Sequence, residues 1–448
     1  MNKVWILYGR KDNQVVALSR PPQGERGFYL ARRTGERNLR FLLGYVSISS
    51  YLTAKDGWTW DEPIEVELDR VGESFQGVSL VGISSHFDDY ENGLLVAKAA
   101  KAAGAKTVLG GPYPSNCAEL IVKLRGDIFD YVVIGPGEIP FLELTRGNFP
   151  AEQVIDGTIN RLPLNQLPRM IRKSWSVGGT TQVPSSLVRW SEGCPRALGK
   201  KACSFCSILH AKCSSQRTIE QIIDELNQLH ELGCRWIEVV DDDVVGILGK
   251  KKIQCLIKEV ETGRCPKMEI YIHAGMRSIP DPETLTLLKR LGVVVIQTGF
   301  ETADPDLKKL NANKATIEEE NIFVERCANL GIALHPSMVI GLAGETKETM
   351  TATFTRTAEI GKKSLIYGIQ ADPIIVLPGC ADYLKLVEAF PEFGETDIVD
   401  VETVTRAWFA RFTKISLEEA VELYNQTIPI IPAQAVVGWH LRNPVNQQ

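Results

Sequence analysis

Short continuous apolar runs alternate with longer amphipathic segments along most of this chain, in two series. A run of four to eight apolar residues without alternation suits a strand covered on both faces. Such strands build parallel sheets flanked by helices. The first series occupies residues 1–150. Strands are expected at 4–8, 64–68, 78–84, 107–109 and 131–134, with helices at 39–54, 92–103 and 118–124. Two of the strand ends run into glycine, at Gly110-Gly111-Pro112 and Gly135-Pro136-Gly137-Glu138. This pattern predicts a doubly wound α/β domain.

Residues 151–185 follow Pro150, carry Pro163, Pro168 and Pro184, and lack a long periodic segment, so they read as a linker. The second series starts near Leu187. Its strands are expected at 187–190, 236–240, 268–273, 293–298, 333–339 and 366–375. Helices fall between them at 218–232, 250–261, 282–291, 318–330 and 347–360. Six strand–helix repeats amount to three quarters of an eight-fold barrel, a partial (β/α)6 barrel over 186–385. Its ligands belong at the C-terminal strand ends. A C-terminal extension, 386–448, follows, with a helix at 418–424.

Composition excludes several classes. With 44% hydrophobic and 23% charged residues in 448, the chain is neither disordered nor fibrous. A net charge of −5 argues against a nucleic-acid partner. No apolar run reaches the roughly 18 residues of a membrane span, and the N-terminal apolar stretch is too short for a signal peptide. The expected compartment is the cytoplasm, with no membrane association. The ten cysteines then read as small buried residues unless their spacing says otherwise.

Three have such spacing. In Gly193-Cys194-Pro195-Arg196-Ala197-Leu198-Gly199-Lys200-Lys201-Ala202-Cys203-Ser204-Phe205-Cys206, eight residues separate the first pair of cysteines and two the second. Three thiolates on one loop can hold three irons of a cubane cluster and leave the fourth iron open. The alternative is structural zinc, which needs a fourth ligand; His210 or Cys213 could supply it.

The loop resembles that of radical S-adenosylmethionine (SAM) enzymes, with Phe205 at their aromatic position before the last cysteine. The family's first gap is three residues, shorter than here. The resemblance implies that Cys194, Cys203 and Cys206 bind a [4Fe-4S] cluster whose open iron chelates SAM. Reductive cleavage then yields a 5′-deoxyadenosyl radical that removes a substrate hydrogen, and an external flavodoxin- or ferredoxin-type donor supplies the electron. It also implies SAM contacts from Asp241 and Asp242 after the second barrel strand, Arg277 after the third, Glu301 in Gly299-Phe300-Glu301-Thr302 and Gly341 in the fifth-strand turn. The bland alternatives are a solvated acidic turn, a surface arginine and a helix-capping glutamate.

The N-terminal half resembles the Rossmann-like cobalamin-binding domain that precedes many radical SAM barrels, through Val81-Gly82-Ile83-Ser84-Ser85 and the two glycine-rich strand ends. The Asp-x-His-x-x-Gly motif for a lower cobalt ligand is missing; His86-Phe87-Asp88-Asp89 has another order. The domain therefore either binds cobalamin without that ligand or docks substrate.

Cys380, in Leu377-Pro378-Gly379-Cys380, lies just past the sixth barrel strand. A thiol there can return a hydrogen atom to a substrate radical from the face opposite SAM, which inverts a stereocentre. Cys234, Cys255, Cys265 and Cys327 lie on or beside helices or at the strand-start side and suit this less. The arrangement resembles proteusin-type peptide epimerases, which implies L-to-D inversion in a ribosomal precursor peptide. The alternative is a cobalamin-dependent radical SAM methyltransferase acting on an unactivated carbon, where no thiol donor is needed.

Overall fold

The computed structural model describes residues 3–22, 43–180, 183–208, 212–312 and 315–427. The first sheet draws on β1 (Lys3–Lys11), β2 (Gln14–Arg20), α1 (Leu43–Asp56), β3 (Thr59–Trp60), β4 (Ile64–Glu67), β5 (Leu80–Ser84), α2 (Tyr90–Ala102), β6 (Lys106–Gly110), α3 (Pro114–Arg125), β7 (Tyr131–Ile134), α4 (Glu138–Thr145) and β8 (Val154–Asp156). Strand order is β3-β1-β2-β5-β6-β7-β8, with β4 also on β1. From β2 to β8 the strands are parallel. Side chains of successive strand residues point to opposite faces. Val81, Ile83 and Leu109 accordingly pack with Leu94, Ala97 and Ile121 of α2 and α3. Leu18, Leu80 and Val108 pack with Val46 and Leu52 of α1 and Phe141 of α4. Both faces are covered, as a doubly wound domain requires.

β2 was not foreseen. It forms an antiparallel hairpin with β1 through Asp12-Asn13, where Asp12 takes the left-handed conformation at φ 52°. Glycine, the usual sign of such a turn, is absent. Residues 39–42, the expected start of α1, lie outside the described residues.

The second sheet and its surroundings comprise β9 (Gly178–Thr180), β10 (Val183–Val188), β11 (Ser191–Glu192), α5 (Pro195–Leu198), β12 (Ser215–Gln216), α6 (Ile219–Glu231), β13 (Trp236–Val239), α7 (Val244–Glu261), β14 (Glu269–His273), α8 (Pro282–Leu291), β15 (Val293–Glu301), α9 (Pro305–Asn311), α10 (Ile317–Asn329), β16 (Ala333–Ile340), α11 (Lys347–Lys363) and β17 (Gln370–Pro373). The C-terminal helices α12 (Ala381–Ala389), α13 (Val401–Phe412) and α14 (Leu417–Thr427) follow. β10, β13, β14, β15, β16 and β17 lie side by side in chain order, all parallel. This is the open, curled sheet of a partial barrel. The stretch read as a linker contributes β8 to the first sheet and β9 to the antiparallel edge of the second.

Helix starts follow side-chain chemistry. Thr218 and Thr316 cap α6 and α10 in reciprocal boxes with Gln221 and Glu319. Asp281 and Asp304 cap α8 and α9 ahead of prolines suited to the first turn. These caps fix where each helix begins, and hence how long each strand-end loop is.

Candidate functional site

The cysteine loop leaves the sheet just beyond β10 and is stapled at its base. β11 pairs antiparallel with β12, Ser191 opposite Gln216 and Glu192 opposite Ser215. At the neck Gly193 has φ 112°, and a Cβ there would come within 2.1 Å of the Cys213 carbonyl oxygen. Only glycine lets the two sides of the loop pass this closely. The long first gap between cysteines is taken up by one helical turn, α5, entered at Cys194. Cys203 to Cys206 is a tight turn in which the Cys206 amide donates to the Cys203 carbonyl at 3.1 Å.

Burial chiefly pushes the Cys206 thiol up to about 11, and the charges of Cys203, Asp242 and Cys194 add to it. The three loop thiols therefore lie within one another's field while staying partly exposed. Among the described residues, no three His, Cys, Asp or Glu side chains converge on a single ion position. Tetrahedral zinc draws every sulfur to about 2.3 Å from one ion. A cubane instead takes each thiolate on a separate iron, and three partly exposed thiols on one loop, Cys194, Cys203 and Cys206, are a donor set of that kind. His210 lies outside the described residues.

The acidic run after β13 divides three ways. Asp241 is buried and accepts from the Trp190 amide at 3.0 Å and the Ser191 hydroxyl at 2.5 Å, so it holds the entry to the loop. Burial raises its carboxyl to about 7 against those two hydrogen bonds. Asp243 caps α7 through the Gly246 amide and accepts from Ser278 at 2.6 Å. Asp242 is the member whose charge reaches Cys206.

The other expected SAM contacts sit in contrasting surroundings. Arg277 is about half exposed and pairs with Glu319 at 3.2 Å on the surface. Glu301 is buried at the end of β15 in the left-handed conformation, φ 60°, where the β15–β16 register shifts. A side chain held there costs on the order of 1–2 kcal/mol, and such strain concentrates at functional sites. Its charge reaches Glu320, which Lys308 and Arg356 pin in the interior behind it. Gly341 has φ 88°, and its carbonyl accepts from the Trp408 indole at 2.7 Å. A Cβ there would meet the Phe409 ring at 2.4 Å. The fifth-strand turn is thus packed against α13. Phe205 is partly buried against the main core.

Cys380 is only 3% exposed. Its sulfur accepts from the Tyr383 amide at 3.3 Å and caps α12. Two residues on, in the first turn of α12, Asp382 is bonded to Ser204 inside the cysteine loop. Neither Asp382 nor Asn116 was foreseen as part of the site. Asn116, at the start of α3, donates to the Ser207 carbonyl at 3.0 Å. A Cβ on Gly379 would lie 2.3 Å from the Asn116 side-chain oxygen. The C-terminal strand edges of the two sheets therefore meet across the cysteine loop. Both residues are ordinary polar groups in sequence, and only the folded topology brings them to the loop.

A groove of about 670 Å³ runs along α11, lined by Ala303, Ile317, Lys347, Thr351, Thr355 and Arg356 among others, away from the cysteines.

Residues 188–356, the span of the cysteine loop and most of the partial barrel, match the model of the Radical SAM superfamily. The chain is similar to an uncharacterized methyltransferase of Pyrococcus horikoshii, 26% identical over 303 residues, covering 61% of this chain and 62% of that protein. It is also similar to the bacteriochlorophyllide d C-12(1)-methyltransferase of Chlorobaculum tepidum, 21% identical, covering 64% and 62%. The chain thus spans somewhat under two thirds of the length of these curated relatives. In fold it resembles the radical SAM methyltransferase TsrM of Kitasatospora setae, solved with tryptophan and a SAM analogue, at TM-score 0.57, 17% identity and coverage of 72% and 68%. It resembles the cobalamin-dependent radical enzyme OxsB, solved with aqua-cobalamin and SAM, at TM-score 0.55, 13% identity and coverage of 86% and 59%. Among the described residues, no helix is long and apolar enough to cross a membrane.

Proposed function

We propose that this chain is a cobalamin-dependent radical SAM methyltransferase acting on an unactivated carbon. The observation that carries this is the junction at Asn116 and Ser207: the strand-end face of the N-terminal domain abuts the cysteine loop. In open α/β sheets that face is where ligands bind. Residues at that face would hold a corrinoid beside the cysteine loop, where it would supply a methyl group. The end of β6 leaves room, since a Cβ on Gly110 would meet nothing within 4 Å. Ser115 ties the β6 and β7 ends together, donating to the Gly111 carbonyl and accepting from the Gly135 amide. The methyltransferase names of the relatives support the same reading.

When bound, the cluster and SAM supply a one-electron route to hydrogen abstraction, and the corrinoid supplies the methyl group. The chain's own residues do the rest. Cys194, Cys203 and Cys206 ligate iron, Asp241 holds the loop entry, and Asp242 sets the charge beside Cys206. Glu301 is the candidate SAM contact whose strained backbone suggests that role. An acidic one-electron carrier of flavodoxin or ferredoxin type reduces the cluster. Peptide epimerisation with Cys380 as hydrogen donor has less support, because the relatives are named as methyltransferases.

The test is anaerobic purification with cobalamin supplied. Wild-type protein should carry four irons per chain and a corrinoid visible spectrum, and SAM bearing a deuterated methyl group should mark the product. The Co(II) form should lack nitrogen superhyperfine splitting, in keeping with the missing histidine motif. Replacing all three loop cysteines with alanine should abolish the cluster. A corrinoid-free enzyme that places solvent deuterium on an inverted stereocentre, with no mass gain of a methyl group, would reject this reading in favour of epimerisation.

A further inference from the structure

Between Cys203 and Cys206 the loop is gripped by a carboxylate from the other end of the fold. Asp382 is fully buried. Its Oδ2 accepts from the Ser204 hydroxyl at 2.7 Å, and its backbone amide donates to the Ser204 carbonyl at 3.0 Å. The contact is reciprocal, side chain to side chain and main chain to main chain. On the opposite side the Ser204 amide donates to the Asn311 carbonyl at 2.9 Å. Asp382 also pairs with Lys385, whose ammonium lies 2.8 Å from Oδ1 and is nearly half exposed. Cys380 caps the same helix, so the start of α12 is fixed relative to the loop.

We propose that Asp382 is a positioning residue for the iron–sulfur cluster, one that holds the Cys203–Cys206 turn and sets the cluster's reduction potential through its charge. This rests on the reading of Cys194, Cys203 and Cys206 as the cluster ligands. A cluster's potential depends on net charge and on hydrogen bonding around its sulfurs. A buried negative charge bonded to Ser204, the residue after Cys203, would oppose addition of an electron to a cluster held by that turn and so lower its potential. In a low-dielectric interior such a charge acts over several ångströms. Lys385 offsets part of it, and its exposure to water limits that offset. The Asp382–Lys385 pair is thus a graded device, with the buried member dominant.

The pair predicts opposite signs. In Asp382→Asn the side-chain oxygen can still accept from Ser204 and the main-chain bond is untouched, but the charge is gone. In Lys385→Met the exposed cation is gone and Asp382 is less compensated. The reduction potential of the reconstituted cluster is read by redox titration followed by electron paramagnetic resonance, with iron content measured for each protein. Asp382→Asn should shift the potential upward, and Lys385→Met downward by a smaller amount. Ser204→Ala should leave the charge in place and instead speed cluster loss in air. An unchanged potential in Asp382→Asn at full iron content, or shifts of the same sign in both charge variants, would overturn the proposal. If Asp382→Asn fails to fold, the exposed Lys385→Met decides alone: no downward shift overturns it. A wild-type protein that takes up no cluster would overturn this inference and the proposed function together, a result distinct from either shift.

Discussion

Cys380 shows how far a residue's chemistry depends on its neighbours. In sequence it is a lone thiol at the mouth of a barrel. Folded, its sulfur faces the Tyr383 amide and caps a helix. Under the proposed function Cys380→Ala should therefore leave the methylated product unchanged and lose on the order of 1 kcal/mol of stability, the usual worth of a cap, as read from product mass and denaturant midpoint. Arg277 is an expected SAM contact whose present partner lies at the surface. Its exposed pair with Glu319 is worth at most about 1 kcal/mol, so Arg277→Ala should leave the apparent SAM affinity near wild type. A tenfold loss would restore it as a carboxylate contact. The loop of Cys194, Cys203 and Cys206 was legible as a candidate metal site because ligand spacing is local and survives any fold around it. Asp382 and Asn116 were not, since each acts through a partner that sequence separation hides: Ser204 lies 178 positions from Asp382.

The strands and helices themselves were largely readable, because apolar runs and threonine or aspartate caps are short-range signals. What escaped were elements whose definition is relational. β11 and β12 are two residues each and exist only as partners. α13 was missed although Val401, Val404, Trp408 and Phe409 fall at helical spacing behind the Asp400 cap; only its packing over Gly341 needed the fold. The Gly341 turn carries a second consequence, because Gly341→Ala combines a left-handed φ with a ring clash. It should cost about 2–4 kcal/mol and lower the melting temperature by several degrees. Three strand-end carboxyls give the fold a common pH response. Burial lifts Asp89, Asp241 and Glu345 to about 7, above their unfolded values. Their contribution to stability is full below about pH 4 and is lost as pH rises through about 7. Stability should fall across that window, and Asp241→Asn should flatten the fall, since the Ser191 hydroxyl can turn to meet an amide. Urea midpoints measured at several pH values check this; an unchanged slope would exclude Asp241 as a contributor.

Across the whole molecule, one loop residue joins the two ends of the chain. Asp397 is buried, and its carboxylate is held by Arg125 at 2.8 and 3.1 Å and by the Tyr90 hydroxyl at 2.7 Å. Its carbonyl accepts from Tyr113 at 2.7 Å. Asp397→Ala leaves the arginine and tyrosine without their anion, which should cost about 3 kcal/mol. Hydrogen exchange should rise first in α2, α3 and α12, ahead of the barrel strands. This clasp also orders events in time. Arg125 and Asp397 are 272 positions apart, which a ribosome adding about 5–20 residues per second covers in roughly 15–55 s. Asn116 meets Ser207 only 91 positions on, so the loop contact can form early, whereas Arg125 and Tyr90 must wait for their anion until the last barrel strand, ending at Pro373, has been made. The two faces of the N-terminal domain are therefore closed in sequence, the strand-end side first and the Asp397 side after it.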